Sequence, residues 1–295
     1  MRNNFEQKIL EFISFYAAMG RATTLMEIKT RAPLPIETSL VSIFNSLEVL
    51  KQKKIIIERY GFYTLEEKSP LLDNRTNQDF LLDMKWKRLM ERAKWFSYLP
   101  FVQFVLVSGS MSFGAIRKSS DFDIVLGVTH GRIFTARYLV SGLFSLFRAR
   151  RLDDLEASSP DKFCFNHIIT LESYEKPPHN YYRYELYKHI IPIFIEGDSY
   201  ESFKQKNVWA HINDLNQEIF PIEKGNKIKK YLEVILNGKI GDLIETYIAK
   251  PIAQKRLSSY VDQKHNEGRV VISDNELEFH FQLNYEKEFS KFSIS

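Results

Sequence analysis

The stretch LVSGSMSFGAIRKSSDFDIVLGV, residues 106–128, joins two apolar runs through a short polar segment. The first run ends in Gly109 and Ser110, and the second begins with Asp121 and Asp123 on either side of a phenylalanine. The apolar residues predict two buried strands, at 101–108 and 122–128, with a helix between them that starts at Ser110. The stretch therefore predicts an α/β unit whose polar residues gather where the strands meet the connecting segment.

Two carboxylates one residue apart are unusual in a strand that is otherwise apolar. Alternate side chains of a strand point the same way, so Asp121 and Asp123 face one point while Phe122 and Ile124 face the core. Like charges this close need compensation, which a divalent cation bound by carboxylate oxygens supplies. The pair therefore predicts a site for Mg²⁺ or Mn²⁺.

Gly109 and Ser110 lie where a strand gives way to a helix. Backbone N–H groups at such a junction favour phosphate, a glycine lets the phosphate approach closely, and a serine hydroxyl adds a donor. Arg117 and Lys118 lie in the connecting segment, and we expect them to reach a triphosphate. A metal pair beside a triphosphate indicates attack of a hydroxyl on the α-phosphate, with pyrophosphate leaving. The alternative is a plain helix cap beside two strand-edge acids.

The spacing Gly-Ser, ten residues, Asp-Phe-Asp resembles the signature of the nucleotidyltransferase superfamily that shares the DNA polymerase β catalytic fold. Further segments, among them KFCFNHIIT, NVWAHINDL and VVISDNELEFH, resemble in the same order a bacterial group known by its nucleotidyltransferase domain. The resemblance implies an α/β (α+β) fold with a polymerase-β-like core. It also implies that Gly109 and Ser110 hold the triphosphate, and that Asp121 and Asp123 are catalytic and hold the metals.

Active members of that superfamily carry a third carboxylate on a later strand, where it helps to hold metal and takes a proton. The strand expected to supply it, KFCFNHIIT at 162–170, contains no acid. Asn166 is its polar occupant, either as a site residue or as an ordinary strand residue. Asp161 and Glu172, at its two ends, are the acids that would substitute if the chain bent inward. In a regular strand His167 faces the other side, and we expect Cys164 to be a small buried residue.

Hydrophobic spacing divides the chain into four segments. Three helical patterns and a hairpin predict a winged-helix-like domain at 1–66, followed by a linker and basic helix at 67–99. The nucleotidyltransferase core spans 100–176. Residues 177–295 are expected to form a helical C-terminal domain, with helices in YYRYELYKHIIPIF, in YESFKQKNVWAHINDL and over 227–263, before a short tail.

The charge of the chain permits a polyanionic partner. Its net charge is +4 and its isoelectric point is about 8.8. Residues 1–66 carry nine basic and seven acidic side chains, a balance of +2. This domain therefore either binds DNA, or instead recruits a protein or packs on the catalytic domain. The segment KWKRLMERAKW either follows an RNA backbone with its interleaved cations and tryptophans or covers the sheet as an amphipathic helix.

Composition excludes several classes of protein. One cysteine rules out a disulfide framework, and acidic residues interrupt the apolar N-terminal stretch where a signal peptide would be uninterrupted. We expect a cytoplasmic protein without a membrane partner. The predicted function is metal-dependent transfer of NMP from an NTP, with ATP the expected donor, to a hydroxyl on RNA, protein or a small molecule. The alternative is a catalytically degenerate domain that senses nucleotide and acts through the winged helix.

Overall fold

The computed structural model describes residues 4–151, 159–175, 180–212, 222, 225–255, 269–280 and 289. These residues form a mixed α/β protein in two compact units. The first unit contains residues up to Met84 together with Phe113–Arg117, and the second contains Lys85–Ser112 and the described residues from Lys118 onward. Among these residues, no helix combines the length and apolar character needed to cross a bilayer.

The first unit has three helices and a small antiparallel sheet in the order β1-β3-β2. The helices are α1 (Asn4–Met19), α2 (Leu25–Arg31) and α3 (Leu40–Gln52), and the strands are β1 (Thr23–Thr24), β2 (Ile56–Arg59) and β3 (Phe62–Leu65). Thr24 and Glu27 form a capping box that fixes the start of α2. The three predicted helices and the hairpin are therefore present, and the winged-helix assignment stays a prediction.

The second unit is built on a six-stranded mixed sheet in the order β7-β4-β5-β6-β9-β8. Its strands are β4 (Val102–Val107), β5 (Phe122–Val128), β6 (Phe163–Ile169), β7 (Ile191–Ile195), β8 (Arg269–Ile272) and β9 (Glu276–His280). Strands β5 and β6 are parallel, and the other neighbours are antiparallel. The strands predicted at 101–108, 122–128 and 163–170 are all present, to within one residue at each end.

Helices cover both faces of this sheet. The helices from residue 70 onward in the described part of the chain are α4 (Pro70–Ala93), α5 (Gly109–Phe113), α6 (Ile133–Leu146), α7 (Tyr181–Lys188), α8 (Ser199–Lys206), α9 (Lys227–Leu236), α10 (Gly238–Leu243) and a π-helical turn (Ile244–Ala249). Tyr187 of α7 and Phe203 of α8 pack with Phe104 and Val125 of the sheet in one buried cluster. On the other side Phe144 of α6 meets the β6 phenylalanines.

The prediction that residues 177–295 form a helical domain is wrong where this segment forms strands. IPIFI at 191–195 forms β7, not the end of a helix, and the tail forms the β8–β9 hairpin in the central sheet. β-branched residues favour the strand, and Pro192 is tolerated because β7 is an edge strand. The predicted helix at 227–263 is interrupted at Asn237, which caps α10, and residues 256–263 lie outside the described part of the chain.

Candidate functional site

Three strand ends meet at one edge of the central sheet. The antiparallel pairing of β4 with β5 brings the end of β4 beside the start of β5, and β6 runs parallel to β5 and starts there too. The backbone N–H of Ser108 donates to the carbonyl of Asp123 over 3.0 Å. This edge therefore places the Gly-Ser and Asp-Phe-Asp segments next to each other, as their spacing predicts.

Gly109 is in contact with the carboxylate of Asp123. Its backbone has a φ of +62°, which side chains rarely adopt, and a Cβ at this position would collide with Oδ2 of Asp123. The sequence predicted a glycine here so that phosphate could approach the backbone. In the structure the group that approaches is the Asp123 carboxylate, so Gly109 is required before any ligand is bound.

The structure brings Asp121 and Asp123 together with Cys164. One ligand atom from each residue lies within 4.8 Å of the others, because Asp123 and Cys164 are paired across β5 and β6. Cys164 is buried, as expected, and the two carboxylates are partly accessible. Two hard carboxylate oxygens suit Mg²⁺ or Mn²⁺, whereas the thiol is a soft donor that Mg²⁺ does not favour.

Arg151 lies on this acid pair, although nothing in the sequence pattern indicated it. Its NH1 donates to Oδ2 of Asp121 over 2.7 Å, and both side chains are largely shielded, at 22% and 16% exposure. Its backbone N–H donates to the carbonyl of Phe163, which holds the residue beside the start of β6. A guanidinium therefore supplies part of the charge compensation for which the sequence predicted a cation.

A cavity of about 110 Å³ opens beside Asp123. Gly109, Asp123, Asn166 and His167 contribute to its lining, and α7 closes it with Tyr182, Leu186 and Tyr187. Asn166 thus lines the same cavity as Asp123, as one of the two sequence-based alternatives requires.

The prediction that His167 faces away from the site is wrong, because β6 is not regular. Asp123 pairs with Cys164 but Val125 pairs with His167, so β6 carries one extra residue between the two pairs. Such a bulge shifts the following side chain to the other face of the strand. His167 therefore lies on the same face as Val125 and lines the cavity together with Asn166.

Asp161 does not take the place of a third carboxylate beside Asp123. Lys85 donates to its Oδ1 over 2.7 Å, and Arg88 binds its Oδ2. Partial burial pushes the pKa of Asp161 upward, but the hydrogen bonds from Lys85 and Arg88 hold it below its ordinary value. Asp161 is thus committed to the basic helix α4, and Lys85, at 1% exposure, is withdrawn from any RNA backbone.

Glu172 is also engaged elsewhere. Its Oε2 accepts a hydrogen bond from the Thr170 hydroxyl over 2.7 Å and lies 2.9 Å from Nδ1 of His130. Burial raises the pKa of Glu172, but these contacts hold it below its ordinary value. Neither Glu172 nor Asp161 lines the cavity that contains Asp123.

The remaining predicted triphosphate ligands occupy different positions. Ser110 is half-buried in the first turn of α5, whereas Arg117 and Lys118 are exposed. Arg117 belongs to the first compact unit, whose Arg21 and Gln78 bind the carbonyls of Gly114 and Ile116. The backbone carbonyl of Lys118 accepts from Lys85 over 3.3 Å. The structure thus brings Gly109, but not the two basic residues, into the cavity lining.

Behind His167 lies a buried charged network that sequence analysis missed. Nε2 of His167 is 3.4 Å from Oε1 of Glu276, and Glu278 pairs with Arg183 and Arg269. Glu276 and Glu278 alternate along β9, so both point to the face that α7 covers. This alternation repeats that of the Asp-Phe-Asp segment and was the available signal. The two arginines already neutralise these acids, so they do not form a second free carboxylate pair.

Comparisons with known proteins add no relative. No protein-family model matches the chain, and neither a curated protein nor a solved structure was found to match it. Any function must therefore be argued from the fold and from this site.

Proposed function

We propose that the chain is a metal-dependent nucleotidyltransferase that moves NMP from an NTP, with ATP as the expected donor, to a hydroxyl acceptor on RNA, protein or a small molecule. The observation that carries this proposal is the contact between Gly109 and Asp123. It joins the strand-to-helix turn suited to phosphate with one acid of the pair suited to metal, and both Gly109 and Asp123 line the cavity.

Asp121 and Asp123 are the residues that would hold the cation. Their carboxylates meet the donor requirements of Mg²⁺ and Mn²⁺, and both are partly accessible. When bound, the cation supplies neutralisation of the charge that develops on the phosphate oxygens. Binding requires that Arg151 leave Asp121, because both compete for the same carboxylate oxygens. The released guanidinium then suits a phosphate oxygen.

The cavity residues serve the acceptor. The hydroxyl oxygen of the acceptor forms a bond to the α-phosphorus of the NTP. The bond from this phosphorus to the oxygen that bridges it to the β-phosphorus breaks, and pyrophosphate leaves with the electron pair. Asn166 offers an amide to orient the acceptor, and His167 accepts the hydroxyl proton on its imidazole. Glu276, 3.4 Å from Nε2 of His167, would stabilise the imidazolium that forms when His167 takes this proton. Burial raises the pKa of Tyr187 well above its ordinary value, so its phenol stays protonated and serves as a hydrogen-bond donor and not as a base.

A second candidate function is nucleotide sensing without transfer. Two observations favour it: Arg151 occupies Asp121, and the third residue of the group formed with Asp121 and Asp123 is a thiol, Cys164, and not a carboxylate. In this case nucleotide binding would displace Arg151, and the protein would act as a regulator whose first unit binds DNA or a protein partner.

Incubation of purified protein with each NTP, Mn²⁺ and total RNA distinguishes the two functions. The transferase proposal expects pyrophosphate release and an acceptor whose mass, measured by mass spectrometry, increases by one NMP. Metal-dependent nucleotide binding without pyrophosphate from any NTP would favour the sensor. Absence of both binding and transfer would contradict the two functions alike.

A further inference from the structure

The helices after residue 226 are turned so that their large apolar side chains face solvent. Nine residues between 228 and 252 leave roughly half or more of their surface exposed: Ile228 (54%), Tyr231 (68%), Val234 (77%), Ile235 (44%), Ile240 (62%), Leu243 (56%), Tyr247 (72%), Ile248 (53%) and Ile252 (48%). We call these nine residues the apolar strip. The same helices bury Lys229, Gly241, Glu245 and Ala249, which reverses the usual arrangement of an amphipathic helix.

Specific polar contacts fix this orientation. Lys229, at 1% exposure, donates to the carbonyl of Val102 over 2.6 Å and binds Glu196. The carboxylate of Glu245 accepts the backbone N–H groups of Phe134 and Thr135 over 2.9 and 2.7 Å. These two N–H groups lie in the first turn of α6, where they lack helical partners, so Glu245 caps that helix.

Two further contacts lie between these anchors. NH2 of Arg132 donates to Oδ1 of Asp242 over 2.7 Å, and Gly241 passes so close to Leu236 that a Cβ would collide with its carbonyl oxygen. Rotating the helices to bury the strip would break every one of these contacts and leave Lys229 and Glu245 without partners. The fold therefore holds the apolar strip at the surface. Exposed apolar patches of this size mark interaction sites, so we expect a partner to cover it.

We propose that the apolar strip is the interface of a symmetric homodimer. The nine side chains offer on the order of 1,000 Å², above the roughly 600 Å² of the largest patch on a typical monomer and about the 800 Å² that each partner gives to a standard interface. The apolar strip can be covered by its own copy when two chains are related by a twofold axis, the commonest symmetry of soluble oligomers.

The spacing within the strip suits another helix. Ile228, Tyr231 and Ile235 of α9 are separated by three and four residues, which places them on one face of that helix. Alternating intervals of three and four residues form the seam of helix-on-helix packing.

The test measures the mass of the full chain in solution between about 1 and 100 µM, the range of common homodimer affinities. The wild type is expected at twice its 34.8 kDa chain mass. The double variant Val234→Lys, Tyr247→Lys buries two charges in the interface and should weaken dimerisation at least about a hundredfold. Ile36→Lys and Leu146→Lys, at 94% and 76% exposure outside the strip, are the matched controls and should remain dimeric.

A cysteine variant keeps the test independent of how the lysines affect folding. In an antiparallel pairing Ile240, near the middle of the strip, faces its copy, so Ile240→Cys should crosslink under mild oxidation while Ile36→Cys should not. A wild type that stays monomeric at 100 µM overturns the proposal. If that monomer melts lower with the two lysines, a segment of its own chain covers the strip; if it binds lipid vesicles, a bilayer does. A dimer that survives the two lysines also overturns it.

Discussion

The carboxylate of Asp123 lies against the Cα of Gly109, and Asp121 two residues earlier accepts a hydrogen bond from Arg151 over 2.7 Å. These two contacts define the state of the site without ligand. One acid is held against the backbone of the strand-to-helix turn, and the other is held by a guanidinium. Each contact makes a prediction that a single substitution can test.

Gly109→Ala should damage both folding and ligand binding. The positive φ alone destabilises an alanine by about 1 kcal/mol, and the added Cβ must also displace Asp123. Gly131→Ala is the matched control, since Gly131 has a φ of +72° but nothing within 4 Å of an added Cβ. We expect calorimetry to show Mn·ATP affinity at least about tenfold lower for the first variant only. Equal losses of affinity and stability in both variants would contradict a role for the contact.

Arg151→Gln should bind Mn²⁺ more tightly than the wild type when no nucleotide is present. The substitution removes the positive charge that competes for Asp121, and we expect an affinity gain of about tenfold. Arg148→Gln removes an equal charge from an exposed residue and serves as the control. Titration of free Mn²⁺ by electron paramagnetic resonance measures the difference. Unchanged or weaker Mn²⁺ binding by Arg151→Gln would show that the guanidinium does not occupy the cation position.

Asn166→Asp tests whether the site lacks only one carboxylate. Asn166 lines the same cavity as Asp123, so an added acid there should raise Mn²⁺ affinity about tenfold and lower stability in the absence of metal. Asn45→Asp, on the exposed surface of α3, adds the same charge at a residue that does not line this cavity and should change neither quantity. Metal titration and thermal melting provide the two measurements. Metal affinity equal to that of the wild type would place Asn166 outside the cation site.

Asp161→Asn should reduce stability and not chemistry. It removes the anionic partner of Lys85, which is 1% exposed, and breaking such a buried pair costs about 3 kcal/mol. Because Lys85 and Arg88 lower the pKa of Asp161 in the folded state, the stability from its charge is present above its unfolded value and is lost as pH falls through the folded value. The difference from wild type should therefore be constant near neutral pH and shrink below about pH 4.

Denaturant unfolding at pH 7 and pH 3 checks this dependence. Asp274→Asn, which removes a 65% exposed acid paired with Lys250, is the control and should change stability by less than about 0.5 kcal/mol. If Asp161→Asn instead abolished transfer at unchanged stability, Asp161 would be the third carboxylate after all.

The local parts of the fold were predictable from sequence, whereas the contributions from distant segments were not. The strands on either side of Gly109 follow from uninterrupted apolar runs, and the approach of Asp121 to Asp123 follows from strand alternation. The place of β9 beside β6 depends on a pairing between residues more than 100 positions apart, such as His167 and Glu278. No local pattern encodes that pairing.

Two features of the site escaped prediction for similar reasons. His167 was expected on the wrong face because periodicity assumes a regular strand, and the extra residue in β6 becomes evident only from its register with β5. Arg151 was overlooked because it lies 30 residues from Asp121 in a segment with no motif. In the basic helix α4 the composition was misleading instead. Its cations suggested a polyanionic partner, yet Lys85 is buried against Asp161.

The proposed function requires that Asp121 and Asp123 join nucleotide to the protein through a divalent cation. The most direct measurement is the calorimetric affinity of ATP with Mn²⁺ and with excess EDTA, for the wild type and for Asp123→Asn. We expect EDTA to weaken wild-type binding at least about a hundredfold, because uncompensated carboxylates repel the triphosphate. We expect Asp123→Asn to melt no lower than the wild type without metal but to lose the tight, metal-dependent binding. Equal ATP affinity with and without metal, or undiminished binding by Asp123→Asn, would contradict the claim.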